Sequence, residues 1–303
     1  MKLLITGATG LVGRKLTKNL LDNGFEIHYL TTGKSKTNVL PGARGFYWNP
    51  QKNKIDLASF TGVDTIIHLA GSTVSRRWTK TYKEKIYSSR IKSTQLLVQG
   101  LEDHEGVHQV KQIVSASAIG IYPSDFDRFY DETVVGNPVS FMEKVVFDWE
   151  KEIDVFCSKG LKVTKLRIGL VLSESGGVLG TLKRPTYFGM GAAFGNGNQG
   201  QSWIHMDDLV GIFLKAVIDR WEGVFNAVAP NPVSQSAFIA ALSRAMKRPY
   251  FLPSIPAFLI RLGAGEMSDL VLDSHWISSQ KVIDKGYSFQ FNDIQNALND
   301  LIK

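Results

Sequence analysis

One cysteine, Cys157, stands in the 303-residue chain, so no internal disulfide can form, and its Val-Phe-Cys setting on an expected helix reads as core packing. No run approaches the ~18 consecutive apolar residues of a membrane span. The apolar run that starts at Lys2 has no charged leader or small-residue cleavage site before it, so a soluble, cytoplasmic protein is expected. Metal ligands are equally sparse. Among six histidines only His104 and His108 fall at ligand spacing, in a polar connecting segment without cysteines or an H-E-x-x-H helix, so no metal is expected. The net charge of +7 is spread among interleaved acids with no basic block, which argues against nucleic acid as a partner. With 44% hydrophobic and 21% charged residues the composition is that of an ordinary globular chain, which excludes fibrous and disordered classes.

The most informative feature lies at the start. Lys2-Leu-Leu-Ile-Thr-Gly7-Ala-Thr-Gly10-Leu-Val-Gly13 joins a short apolar strand to a helical pattern through three glycines spaced three apart. With 28 glycines in the chain, such a triplet arises by chance roughly 0.2 times, so the string matters only because it follows a strand and opens a helix. Gly7 permits the tight turn, Gly10 lets the backbone approach a pyrophosphate, and Gly13 lets helix and strand pack closely. Free N–H groups and the positive end of the helix dipole then face phosphate. A dinucleotide site is the resulting expectation.

Apolar runs predict strands near 2–6, 26–31, 64–69, 111–116 and 162–168, with helices near 11–23, 79–101 and 141–158 between them. That alternation predicts an α/β fold, a Rossmann-type doubly wound parallel sheet, with a smaller, mostly helical C-terminal domain. The reading places the nucleotide-binding domain at 1–170, with 203–229 returning to it. The smaller domain takes 171–202 and 230–303. The glycines from Gly176 to Gly200 suggest a mobile loop, and the prolines from Pro230 to Pro256 punctuate short helices before an amphipathic stretch near 292–302.

At the end of the second strand no carboxylate waits for a ribose 2′-hydroxyl. Thr31, Thr32, Lys34 and Lys36 stand there instead, and hydroxyls with ammonium groups suit the 2′-phosphate of NADP better than NAD, the alternative. Further along, His68-Leu69-Ala70-Gly71 offers small residues beneath the adenosine side. Ser115, Ser117 and Tyr122 place hydroxyls at or just beyond the strand end over which a nicotinamide would sit.

These pieces together resemble the extended short-chain dehydrogenase/reductases of the NAD-dependent epimerase/dehydratase type. More narrowly, Arg76-Arg-Trp78-Thr79, Ser89-Arg90, Leu166-Arg-Ile-Gly-Leu-Val171, Gly197-Asn-Gln199, Trp203-Ile-His205 and Pro230-Asn-Pro-Val233 resemble little-characterised epimerase-family oxidoreductases with a distinctive C-terminal domain. The resemblance implies cofactor contacts at Gly7, Thr9, Gly10, Leu11, Val12, Thr31, Thr32, Leu69, Ala70, Arg90 and Val171; Gly13, Gly71 and Ser115 join them from the reading above. It also implies an NADP-dependent oxidoreductase or epimerase activity on a small-molecule substrate, sugar nucleotides being the usual substrates of the wider superfamily; a monomer or homodimer is expected.

One departure matters. Short-chain dehydrogenases use a tyrosine with a lysine four residues later as their proton carrier, and none of the nine tyrosines here has lysine at that spacing. Alignment on the helix puts Met142 and Val146 in the two places. Losing such catalysis typically costs 10²- to 10⁴-fold, so either another group substitutes or the chain is a non-catalytic NADP sensor or interaction protein. Ser117 and Tyr122 are the candidate substitutes, beside Glu143 and Lys144 on the altered helix, which also suit a solvated face. His205 has a suitable intrinsic pKa but also fits a structural role with Asp207 or Asp208. Arg76, Arg77 and Trp78 form either an anion clamp or an ordinary basic loop.

Overall fold

In the computed structural model, which describes every residue except Glu105, Val135 and Lys303, strand and helix alternate through the first half. β1 (Lys2–Thr6), α1 (Leu11–Asp22), β2 (Glu26–Thr31), β3 (Ala43–Asn49) and β4 (Lys54–Ile55) lead to β5 (Thr65–His68) and α2 (Lys80–Glu102). Then come β6 (Gln112–Ala118), β7 (Phe129–Tyr130), α3 (Phe141–Ser158), β8 (Lys162–Ile168) and β9 (Leu170–Ser173). The remainder holds α4 (Gly177–Tyr187), β10 (Gly200–Gln201), β11 (Trp203–His205), α5 (Met206–Ile218), β12 (Gly223–Ala227), β13 (Val233–Ser234) and α6 (Gln235–Ala245). Last are α7 (Ala257–Ala264), α8 (Asp269–Leu272), β14 (Trp276–Ile277), α9 (Gln280–Asp284) and α10 (Ile294–Leu301).

The main sheet has eight strands in the order β12-β8-β6-β5-β1-β2-β3-β4, parallel throughout except for the edge hairpin that adds β4. Strands covered by helices on both faces need apolar side chains on both, which is why β1 and β5 read as continuous runs rather than alternating ones. From β1 the chain winds one way through β2 and β3 and the other way through β5, β6 and β8. The reversal between β1 and β5 opens a crevice at the carboxyl ends of the strands.

Local chemistry sets the helix starts. The Thr79 hydroxyl accepts from Tyr82 N to begin α2, and Ser140 with Glu143 forms a capping box on α3. On α3, Val145, Trp149, Ile153 and Phe156 recur every three or four residues and are buried, the larger ones contributing about 1.5–3 kcal/mol each. Cys157 follows Phe156 by one position, which turns it about 100° off that face. It is exposed, so its expected core role does not hold.

Three other expectations change. β3 has no counterpart in the reading of the sequence, because only Phe46 and Trp48 are buried along it and its flanks carry turn residues. The glycine-rich stretch is not all loop: α4 begins at Gly177 and buries Leu179. Of the segment 203–229, β12 joins the main sheet beside β8, whereas β11 pairs with β9 in a separate two-stranded sheet. Leu172, Leu179, Trp203, Phe238, Leu242, Leu298 and Leu301 build a second core under that smaller sheet. Among the described residues, no helix is long and apolar enough to cross a membrane.

Candidate functional site

At the turn after β1, Gly7 has φ +71°, and a Cβ there would lie 2.9 Å from the Leu69 carbonyl carbon. A Cβ on Gly13 would come within 2.2 Å of the Gly7 carbonyl oxygen. Both positions therefore demand glycine, and the first turn of α1 lies tight against the strand end. Gly10 caps α1 without any side-chain hydrogen bond, so its first N–H groups lack a side-chain acceptor. Such a helix end suits a phosphate.

The neighbouring strand end is held from below. The Thr6 hydroxyl accepts from Leu69 N and Ala70 N, each at 3.1 Å, which leaves its proton for His68 Nδ1 at 2.7 Å. His68 Nε2 then donates to the Thr94 hydroxyl at 3.1 Å. Burial, with Arg90 nearby, drives the His68 pKa down to about 3, so the ring stays neutral and serves as a fixed strut.

Arg90, on α2, extends across this floor. One terminal nitrogen donates to the carbonyls of Ile86 at 3.0 Å and Ser72 at 3.3 Å, and the guanidinium lies 5.2 Å from the Trp149 ring centre. Its Nε is buried without a partner among the described residues. Desolvation lowers its pKa to about 10, leaving it cationic at neutral pH. A buried, unpaired donor on a cation calls for an acceptor from outside the chain.

Two hollows lie near Arg90, which lines the second, while Ser72, whose carbonyl it holds, lines the first. One, of about 640 Å³, is lined by Gly7, Thr9, Thr31, Thr32, Lys36 and Gly71 among others, with Lys85 and Glu84 on its far side. The other, of about 500 Å³, is bounded by Trp78, Phe141, Met142, Gly169 and Leu170, and from the C-terminal region by Asp269, Asp273 and His275. Leu11, Val12, Leu69, Ala70 and Val171 pack partly buried against the main core. Ser115 is fully buried and its hydroxyl donates to the Ala116 carbonyl at 2.9 Å, so it presents nothing to either hollow.

Both expected hydroxyl catalysts are committed elsewhere. Ser117 Oγ donates to Glu150 at 2.6 Å, and Arg167 grips the same carboxylate through Nε and Nη2, both at 2.9 Å. The third arm of that fork, Nη1, donates to Tyr122 Oη at 2.8 Å, and Tyr122 in turn donates to Asn226 at 2.8 Å. Burial pushes the Tyr122 hydroxyl up to about 12 despite Arg167, which removes it from proton exchange near neutrality. Burial also raises Glu150, but the Arg167 hydrogen bonds and charge outweigh it and hold the carboxyl below its ordinary value. Neither residue appeared linked in the sequence, since Glu150 and Arg167 meet only when α3 packs on β8.

The remaining candidates separate. Trp78 lines the second hollow, whereas Arg76 and Arg77 are exposed and do not. His205 accepts from Asp207 N at 3.1 Å, lies 3.4 Å from an Asp300 oxygen and stacks on Phe291 at 3.8 Å, so it caps α5 and packs rather than facing substrate. Burial lowers its pKa against the pull of Asp207 and Asp300. Glu143 lines the hollow, and Lys144 pairs with Asp148 at 3.0 Å on the outer face. Met142 also lines it, while Val146 is fully buried.

Residues 3–227 match the model of the NAD dependent epimerase/dehydratase family. The chain belongs to that family. Residues 255–301 match a domain of unknown function that supplies Asp269, Asp273 and His275 to the wall. Among relatives of this epimerase family, a protein of Staphylococcus epidermidis is 36% identical over 99% of this chain and 98% of its own. One of Staphylococcus saprophyticus is 35% identical over 99% and 98%. Both carry only the name epimerase family protein. A human epimerase family protein, solved with NADPH, superposes with a TM-score of 0.85 at 25% identity, covering 100% of this chain and 99% of that one. UDP-glucose 4-epimerase of Thermotoga maritima, with UDP-glucose, shares the fold at TM-score 0.79 and 18% identity, over 99% and 97%.

Proposed function

We propose that this family member is an NADP-dependent oxidoreductase or epimerase acting on a small molecule. The observation that carries the reading is Arg90, whose Nε is buried and unpartnered among the described residues; its side chain lines the hollow with room for substrate and holds the carbonyl of Ser72, which lines the hollow that suits a nucleotide. The residues fit the cofactor. Gly7, Thr9 and the open end of α1 suit the diphosphate, and Thr31, Thr32 and Lys36 suit a ribose phosphate. Arg90 offers a charged donor, and Ala118 and Gly169 give a nicotinamide face a close, apolar seat. A nicotinamide, when bound, supplies hydride exchange, which requires mainly alignment and a dry pocket. Human NADPH binding at 25% identity supports the same preference.

Substrate charge can be argued from the wall. Glu143, Asp269 and Asp273 border the second hollow; of the two cations that also line it, Lys83 is already paired with Glu266, and Arg90 is the donor this reading gives to the cofactor. Carboxylates repel a sugar nucleotide's diphosphate, so a carbonyl or hydroxyl compound without phosphate suits this wall better. A second reading, a non-catalytic NADP sensor, draws on Met142 and Val146 in the places of the catalytic pair.

Fluorescence titration with NADPH and NADH tests the cofactor. NADPH should saturate at the lower concentration; tighter NADH binding would reverse the choice, and saturation by neither would remove the reading. Absorbance of the reduced ring in a screen of carbonyl and enoyl compounds then separates enzyme from sensor.

A further inference from the structure

The wall that a tyrosine would furnish is Met142 here, which has no exchangeable proton. On the same cavity, the segment from Asp273 to Ile277 is stitched to two other parts of the chain. Ser274 N donates to Ser124 Oγ at 2.9 Å, its hydroxyl accepts from Gly200 N at 3.0 Å, and its carbonyl accepts from Asp125 N at 3.0 Å. His275 N donates to the Gly200 carbonyl at 3.0 Å, and Ser202 Oγ bridges the His275 carbonyl at 2.8 Å and Ile277 N at 2.9 Å. Asp273 N closes α8 on the Asp269 carbonyl at 2.9 Å. A side chain on such a segment is held with the rigidity that proton transfer requires.

Of the titratable groups that line this cavity among the described residues, one is suited best to the task. Glu143 accepts from Val139 N at 2.7 Å and Ser140 N at 3.4 Å as a cap, Glu266 is paired with Lys83, and Asp269, also raised by burial, is the less deeply buried of two aspartates on which Arg261 draws alike. His275 Nε2 donates to the Tyr122 carbonyl at 3.1 Å, and burial holds the ring neutral. Asp273 remains, with a hydrogen bond to Ser124.

We propose that Asp273 is the proton-exchanging residue of this site, taking from the C-terminal domain the role that Met142 cannot fill. The inference rests on the nicotinamide reading above. When bound, a reduced nicotinamide would supply the hydride to a substrate carbonyl carbon, with the C=O electron pair moving to oxygen. The Asp273 O–H bond breaks and its proton goes to that oxygen, leaving a hydroxyl and a carboxylate; the reverse direction restores the acid. Burial first, then the charges of Asp269 and Glu143, raise the carboxyl to about 6 against the opposing Ser124 hydrogen bond and Arg261, so both protonation states are populated near neutrality.

The test uses full-length protein labelled with ¹³C at aspartate carboxyls, with Asp273→Asn assigning the resonance and a melting curve confirming that the variant folds. The carboxyl is titrated alone, with saturating NADPH, and with saturating adenosine 2′,5′-bisphosphate, which fills only the adenosine half. The expected midpoint is near 6 in the free protein. NADPH should shift it and the bisphosphate should not, while Asp273→Asn binds NADPH within about twofold of the parent, a difference of ~0.4 kcal/mol. A midpoint near 4, or one that bound NADPH leaves unchanged, overturns the proposal. If fluorescence shows no saturable NADPH binding to the parent protein, the nicotinamide reading itself falls and this inference falls with it.

Discussion

The hollow at the glycine turn and the hollow that Arg90 lines are made by opposite means. The proposed nucleotide side is built from a contiguous turn, with Gly7 and Thr9 in one stretch and Thr31 and Thr32 at the next strand end. Its geometry follows from steric facts a few residues apart, such as the 2.2 Å that a Gly13 Cβ would leave to Gly7. The substrate side gathers Trp78, Met142, Leu170 and Asp273 from distant parts of the chain and seals them over a buried ionic floor. Local backbone conformation fixes the first; long-range charge pairing and packing fix the second. A family can therefore retain the first while the chemistry of the second drifts.

Breaking the floor should produce the largest effect. Glu150→Ala leaves Arg167 buried without its carboxylate, and urea unfolding should show a loss of about 3–5 kcal/mol. A loss near zero would mean that water reaches Arg167 and that the floor does not support the substrate side.

Arg90 sharpens the boundary itself. Arg90→Met removes the charged donor between the hollows, and NADPH titration should weaken by about 1.5–3 kcal/mol, tenfold or more in Kd. Unchanged affinity would place the cofactor away from Arg90.

The smallest effect concerns pH. Asp273 has a native pKa of about 6, above the ordinary unfolded value near 3.9. The stability carried by its protonated form is thus complete below about pH 4 and is lost as pH rises through 6. Asp273→Asn stays neutral, so its melting temperature relative to the parent should rise between pH 5 and 7, by about 2 °C. A difference flat with pH would show an ordinary carboxyl.

Much of the fold around the proposed nucleotide side was legible in the sequence. The strands at β1, β2, β5, β6 and β8 and the three long helices announce themselves through burial on both faces or one, and glycine spacing marks the turn. The substrate side was not. Ser117 and Tyr122 were plausible by position along β6, yet Glu150, Arg167 and Asn226 claim their hydroxyls from α3, β8 and β12. Asp273 carried no signal, because nothing in Leu272-Asp-Ser-His275 differs from a polar turn until Ser124 and Gly200 pin it.

What the amino-acid order determined alone is the doubly wound sheet and its tight glycine turn, since period, glycine placement and chain chirality act within a few residues. The tertiary structure decided which polar groups stay available for chemistry. Hydrogen-bond partners, desolvation and the field of neighbouring carboxylates act through space, and for this chain they come from elements 30 to 150 residues apart.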